Sequence, residues 1–504
     1  MKKRIIVVMA LLIASVMVLS ACRSDEAAGG NMFTIVTASL PVNLNHTSND
    51  SPSAQVTRHI YDTLVYLCYD TFDPQPRLAL NWSQPDAQTV VMELRQGVYF
   101  HNGDPLTAHD VKFSIDRAAV NPHAEAITGM ISHVTVQDDY NFTIHLDVPF
   151  APIIRHLGHT ITGILPAAYY EEVGADAFRE APVGTGPFMF YDWVSGDRIT
   201  LVRNDNYWDT PANVEYVQWR EVPDASTRLI AVETGEANLA LGISAADLPV
   251  AAASPNVNLL RRQTLSTDYL GFNCTAPYLE NVLVRQAIAY ALDTAAIFDA
   301  VWGEFGSLPA GPLSSIVWGY HAVERYEQNI ERARELLAEA GYADGFSTRI
   351  WWNTGNPQRM NVAEIVAATL RQINIDVEVV ALEWGTILAG TERGEHDMFI
   401  MGWVSVTGDA DYGLYPLFHS SMHGPNNRSF FSYEPLDVLL DAGRQSVDPD
   451  ERLAIYAEAQ QIVRDQAPWV FLRQGEDAVA VGTNVRGFVI NPGGHHNYTQ
   501  VYFE

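Results

Sequence analysis

Strand, turn, strand, turn and capped helix follow one another without slack between Leu94 and Arg117, and this succession restricts the surrounding fold more than any other stretch. Val90 to Leu94 is a β-branched and apolar run. Gln96-Gly97 can turn it, Val98-Tyr99-Phe100 is a second run, and Asn102-Gly103-Asp104-Pro105 breaks that in turn. The order predicts a hairpin. Thr107 then offers a side-chain oxygen to an orphan backbone N–H, with acidic Asp110 three residues on. A helix should begin there and stop before Asn121-Pro122. Elementary physics makes this a compact α+β unit and leaves its purpose open.

The start of the chain narrows the setting. Lys2, Lys3 and Arg4 precede an uncharged apolar run from Ile5 to Leu19, followed by Ser20-Ala21-Cys22. A basic start, a short apolar stretch and small residues before a cut describe a secretory signal over residues 1–21. The run is too short and wrongly flanked for a spanning helix. Leu19-Ser20-Ala21-Cys22 resembles the bacterial lipobox, which makes Cys22 the expected lipid-anchored residue and residues 22–31 a polar, Gly/Ala-rich tether. The chain has 60 acidic against 31 basic residues in 504, a formal charge of −29. That excludes nucleic acid or an anionic bilayer face as partner, since both need a basic footprint. Cationic or zwitterionic ligands gain only a mild preference, because most surface carboxylates serve solubility. Beyond Cys22 there are Cys68 and Cys274. A disulfide and two free thiols are both open, and the absence of any Cys-x-x-Cys removes redox and zinc-ribbon readings.

The string from Arg95 to Arg117, Arg-x-Gly-Val-x-Phe-His-Asn-Gly-x-Pro-Leu-Thr-Ala-x-Asp-Val-x-Phe-Ser-Ile-x-Arg, resembles the signature of the family 5 extracellular solute-binding proteins, the peptide- and nickel-binding subunits of ABC importers. Further stretches agree in order: Ile60-Tyr61-Asp62-Thr63-Leu64-Val65, the Pro76 to Trp82 lead, Gly184-Thr185-Gly186-Pro187-Phe188 and Asn204 to Trp208. A phosphate-cradling loop at Gly184 fails, because no Lys-Ser/Thr follows and a strand comes next. Glu331 to Ala340 reads as an amphipathic helix closed by Gly341, with Leu336 and Leu337 inward. Ile350–Trp352, a helix over Met360–Ile373 and Val377–Val380 read as strand, helix, strand.

Polar chemistry thickens between Glu383 and His423. Met398 to Trp403 is an apolar strand running into Val404-Ser405-Val406-Thr407-Gly408-Asp409-Ala410-Asp411-Tyr412, a Gly- and Asp-rich loop suited to hold carboxylates at a cleft. The resemblance is to the dipeptide-binding branch, where a loop aspartate takes the peptide's ammonium group, and it carries that role onto Asp409. Gly408, Asp411 and Tyr412 accompany it. A solvated turn is the competing reading of this Gly-Asp pair, and Ala410 and Tyr412 depart from the usual Pro and Asn. Asn356-Pro357-Gln358-Arg359-Met360 resembles the segment whose arginine holds the ligand carboxylate, so Arg359 takes that role or stands as a first-turn surface residue. Trp384 and Trp403 are expected in the pocket walls. Metal ligation would fall to His419 and His423 at i, i+4 spacing, or to His495-His496.

The resemblance implies an α/β, class II (cluster C) periplasmic-binding-protein fold: two lobes, a hinge and an inserted domain. Residues 32–65, 196–275 and 478–504 form lobe I, 66–195 the inserted domain II, and 276–477 lobe II. It implies a monomeric lipoprotein without a cofactor that captures short peptides and hands them to ABC permease subunits at the membrane. A nickel or metal-chelate binder of the same family is the alternative. An extracellular hydrolase would need a nucleophile motif such as Gly-x-Ser-x-Gly, which the sequence lacks. Sequence does not separate peptides from glutathione or opines.

Overall fold

The computed structural model describes residues 31–48 and 50–504; the expected signal, Cys22 and nearly all of the tether lie outside them. A ten-stranded mixed sheet organises both lobes. From edge to edge it runs Ile375–Leu382, Phe346–Asn353, Met398–Val404, Val257–Phe272, Trp469–Gly482, Leu239–Ala240, Met32–Thr37, Tyr216–Glu221, Arg198–Arg203 and Phe188–Val194. The first three strands belong to lobe II and the last five to lobe I. Val257–Phe272 and Trp469–Gly482, antiparallel to each other, are shared by both. Their ladder loses register between Gln263 and Thr267 and again between Asp268 and Tyr269, and such irregularities bend and twist a strand pair.

The strand–helix–strand expectation in lobe II holds: Phe346–Asn353 and Ile375–Leu382 pair in parallel and flank the helix Pro357–Leu370. The Ile330–Glu339 helix buries Leu336 and Leu337, and Gly341 beyond it has φ +88°.

A separate four-stranded antiparallel sheet, in the order Ala79–Asp86, Thr89–Leu94, Asn141–Leu146 and Ile131–Asp138, packs on the Ala108–Ala119 helix. Thr107 and Asp110 start that helix as expected, with the Asp110 carboxylate accepting the Thr107 N–H at 2.9 Å. The hairpin expected over Val90–Phe100 does not form. Thr89–Leu94 has both edges taken, by Ala79–Asp86 and by Asn141–Leu146. Val98 and Phe100 instead bury their side chains in a tight turn closed by Phe100 N–H to Asp104 O at 2.8 Å. Phe188–Val194, within the stretch expected for the inserted domain, pairs with Arg198–Arg203 in the large sheet.

Four of the motifs noted above converge on one buried carboxylate. Asp62, with a side chain 0 % exposed, accepts from Arg77 Nε at 2.6 Å, Trp208 Nε1 at 2.8 Å, Thr185 Oγ1 at 3.0 Å and Tyr207 O–H at 3.2 Å. A carboxylate out of water needs such saturation. Gly184 and Gly186 let that loop press on the Ile60 backbone, where a Cβ would meet Ile60 oxygen at 2.0 and 2.7 Å.

Candidate functional site

A cavity of about 640 Å³ lies between the lobes, inside the range of roughly 300–1,000 Å³ usual for small-ligand sites. Lobe I contributes the loop from Val42 to Ser51 together with His495. The inserted unit contributes Asn121 and His159, the shared strand Val257–Phe272 contributes Ser266, Asp268 and Tyr269 as the floor, and lobe II the far wall.

Arg359 reaches this cavity because of how its helix starts. Asn356 caps the Pro357–Leu370 helix by accepting the Arg359 N–H at 3.0 Å, which fixes Arg359 in the first turn. Its Nη1 donates to Asn353 Oδ1 at 2.6 Å, and Asp268 Oδ1 stands 3.9 Å from Nη2. Nε has no partner among the described residues, and the side chain is 14 % exposed. Burial pulls the guanidinium pKa down, and the Asp268 carboxylate offsets this in part. An anion arriving from the cavity would meet a cation already largely stripped of water.

The walls are aromatic. Trp384 heads the Trp384–Glu392 helix, capped by Glu383, which accepts the Thr386 N–H at 3.2 Å. The Arg359 guanidinium lies 6.0 Å from the Trp384 ring, and the indole N–H has no partner among the described residues. Trp403 donates its indole N–H to Tyr412 O at 3.0 Å, with the two rings 5.2 Å apart. Tyr412 of lobe II meets His159 of the inserted unit, Nε2 to hydroxyl at 3.0 Å. His159 Nδ1 accepts the Ile161 N–H at 3.1 Å, so Nε2 carries the proton, and burial pushes the ring down to about 3. This contact between the inserted unit and lobe II is therefore made by a neutral histidine.

Arg359, Trp384, Trp403 and Tyr412 thus share one cavity, whereas Gly408, Asp409 and Asp411 do not line it. Asp409 is 2 % exposed. Its carboxylate caps the Ala410–Phe418 helix, accepting the Asp411 N–H at 2.9 Å, and pairs with Arg452 Nη2 at 2.8 Å. Asp411, 1 % exposed, accepts from Arg444 Nε and Nη2 at 3.1 Å each. Arg444 also donates to Ala126 O at 3.1 Å and lies between the rings of Phe150 and Tyr415, which ties the inserted unit to lobe II. Gly408, at φ +68°, packs on Phe72, where a Cβ would approach to 2.6 Å. From this loop Val404, Val406 and Tyr412 line the cavity. The Gly-Asp-x-Asp stretch begins a helix buried along its length, so its carboxylates turn inward to partners that local sequence does not reveal.

Sequence reasoning passed over Asp268 and Tyr269 on the shared strand, His159, and Arg428. A charged residue directly before the apolar run Tyr269-Leu270-Gly271-Phe272 was the available signal for Asp268; nothing local marked His159. Of the candidate metal ligands, His495 lines the cavity. His419 stacks on Tyr415 and bonds Ser421, and His423 Nε2 bonds Phe431 O. His496 Nδ1 accepts the Asn491 N–H. Among the described residues no group of three or more His, Cys, Asp or Glu side chains could hold a metal ion.

Two lobes on a shared sheet, with a polar and aromatic cavity between them, define the solute-binding class of transport proteins. Residues 73–424 match the family of bacterial extracellular solute-binding proteins, family 5 Middle, and the chain belongs to that family. The chain is 30 % identical to heme-binding protein A of Haemophilus influenzae, over 96 % of each chain. It is also 30 % identical to the dipeptide-binding protein of Escherichia coli, over 88 % of this chain and 89 % of that one. Among solved structures it resembles the ABC transporter-associated periplasmic binding protein DppA from Helicobacter pylori in complex with the peptide STSA. The TM-score there is 0.88, with 30 % identity over 94 % of this chain and 98 % of that one.

Proposed function

We propose that this chain is the extracytoplasmic receptor of an ABC importer, held to the membrane through a lipid on Cys22, and that it delivers short peptides to the permease. The observation that carries the reading is Arg359, desolvated at the cavity wall with Nε unpartnered and Asp268 beyond hydrogen-bond distance. A planar guanidinium in that state suits the carboxylate at the end of a peptide, held in a fork. Trp384, Trp403 and Tyr269 supply apolar walls for side chains of varied shape. The relatives named for dipeptide and peptide binding support the same class of cargo.

The mechanism requires no covalent step. A ligand that touches Arg359 on lobe II and the 42–51 loop on lobe I gains contacts in the closed state that the open state lacks, and so shifts the population toward closure. Calorimetric titration with a dipeptide and with its C-terminal amide tests the reading. The free acid should bind at least tenfold more tightly, and Arg359→Met should remove that preference while leaving residual affinity for the amide. Equal affinity for acid and amide would sink the role of Arg359.

A further inference from the structure

Asp268 stands between two arginines, and that arrangement leaves two opposite charges over. Arg473 Nη1 donates to Asp268 Oδ2 at 3.2 Å and spends its other donors on Phe305 O and Glu476 O. Arg359 lies 3.9 Å from the same carboxylate, outside hydrogen-bond distance. Arg473 and Asp268 therefore neutralise each other. Arg359 remains as a surplus cation, and a surplus anion stands further along the strand that carries Arg473.

That anion is Asp477. It lines a second cavity of about 230 Å³ that adjoins the first, the two sharing Ser51, Ser266 and Val404 in their walls. The carboxylate is half-buried and forms no hydrogen bond or ion pair with the described residues. Every charged neighbour is engaged elsewhere. Arg262, directly opposite in the ladder, gives its guanidinium to Asp70 at 2.6 Å, to Ile490 O at 2.9 Å and to Tyr69 O at 3.1 Å. Glu476 is held by Arg261 at 2.6 and 2.9 Å. His496, also in this wall, is kept neutral, its pKa pushed down to about 3 by burial. Burial pushes the Asp477 carboxyl up to about 6, so it is ionised at neutral pH and awaits a counter-charge. The hydroxyls of Thr264 and Ser266, 2.6 Å from each other, line the same space as further acceptors.

We propose that this side cavity is the subsite for the cationic end of the cargo: the ligand is a zwitterion whose carboxylate meets Arg359 and whose ammonium meets Asp477, Thr264 and Ser266. This inference rests on the reading of the main cavity as a peptide site, and it moves ammonium recognition from the Asp409 loop to the floor formed by the shared strands. It also explains the apolar Val406 at the loop tip, since no carboxylate is needed there.

The test uses native mass spectrometry and calorimetry on the soluble chain with a di- to tetrapeptide library in three forms: free, N-acetylated and C-amidated. The proposal expects N-acetylation to weaken wild-type binding by about 10- to 100-fold, the loss of one charge-assisted contact. Asp477→Asn should weaken free peptides to the same extent and leave the N-acetylated forms unaffected. Full binding of N-acetylated peptides by the wild-type chain would overturn the subsite while leaving the carboxylate site at Arg359 standing, and this arm does not depend on how well any variant folds. Loss confined to the C-amidated forms would do the same. A chain that retains no member of any library would overturn both the peptide reading and the subsite.

Discussion

Replacing Asp409 by asparagine keeps the helix cap and removes the charge, which separates two roles that a loop aspartate can have. Asparagine caps a helix about as well as aspartate, so the Ala410–Phe418 start should survive. What is lost is the pairing with Arg452, 2.8 Å away, in a place where Asp409 is 2 % and Arg452 7 % exposed. Removing one partner of a buried pair costs about 3–5 kcal/mol, mostly because the other charge stays behind. Arg452 retains Gly443 O at 2.8 Å, the Tyr456 hydroxyl at 3.2 Å and the face of Trp318 at 4.6 Å, so the lower end, about 3 kcal/mol, is expected. Urea unfolding followed by tryptophan fluorescence should show a midpoint lower by on the order of 1 M. Adding Arg452→Met should recover part of the loss, since the pair acts as a unit. Peptide affinity of the folded variant, measured by calorimetry below the transition, should stay within about threefold of wild type, less than 1 kcal/mol. An unchanged midpoint together with abolished binding would refute the reasoning and return Asp409 to the ligand.

Two further outcomes follow from the titratable groups. The Cys68 thiol is pulled below the usual range by backbone N–H donors at Asp70 and Thr71, whereas burial pushes Cys274 up to about 11. The two stand as free thiols, so iodoacetamide near pH 8 should label Cys68 first in the native chain, with both reacting after unfolding and without reductant; a requirement for reductant would reveal a disulfide. Burial also pushes the rings of His46, His156 and His159 down to about 3, against about 6.5 in an unfolded chain. Below pH 6.5 the unfolded state binds protons that the fold refuses, so their contribution to stability is complete above that pH and lost as pH falls toward 3. Melting temperature should be level from pH 8 to 7 and drop steadily between pH 6 and 4, and a flat profile across that acid range would count against this account.

The fold was legible where motifs describe framework. The stretches at Asp62, Arg77, Thr185 and Tyr207-Trp208 lie far apart in the chain, yet each was recognisable because each must satisfy the same buried carboxylate. The helix start at Thr107 was equally readable, since Thr107 and Asp110 act within three residues, whereas the start at Asn356 was read three residues late, at Met360. The site was legible in part. Arg359, Trp384, Trp403 and Tyr412 reach the cavity, but the Asp409 loop looked like a ligand clamp because its partners could not be seen. Arg452 comes 43 residues later and Arg444 33 residues after Asp411, on helices whose packing against this loop no local pattern announces. The Val90–Phe100 hairpin failed for a related reason. Adjacent apolar runs pair by default only when no longer strand competes, and Asn141–Leu146 did.

The two shared strands give the lobes a common spine, and its weakest joint lies at the cavity floor. Rungs are missing between Gln263 and Thr267, on either side of Ser266, and the register slips again just past Asp268. A ladder flexes where its rungs are absent. Any swing of one lobe against the other would therefore turn about residues that also border the cargo, and would break few hydrogen bonds in doing so. Pivot and gripping surface are one piece of backbone. The presence of cargo is then felt as stiffness at the joint itself, without a relay of side chains, and a permease that senses how rigidly the lobes are held would be reading the occupancy of the cavity directly.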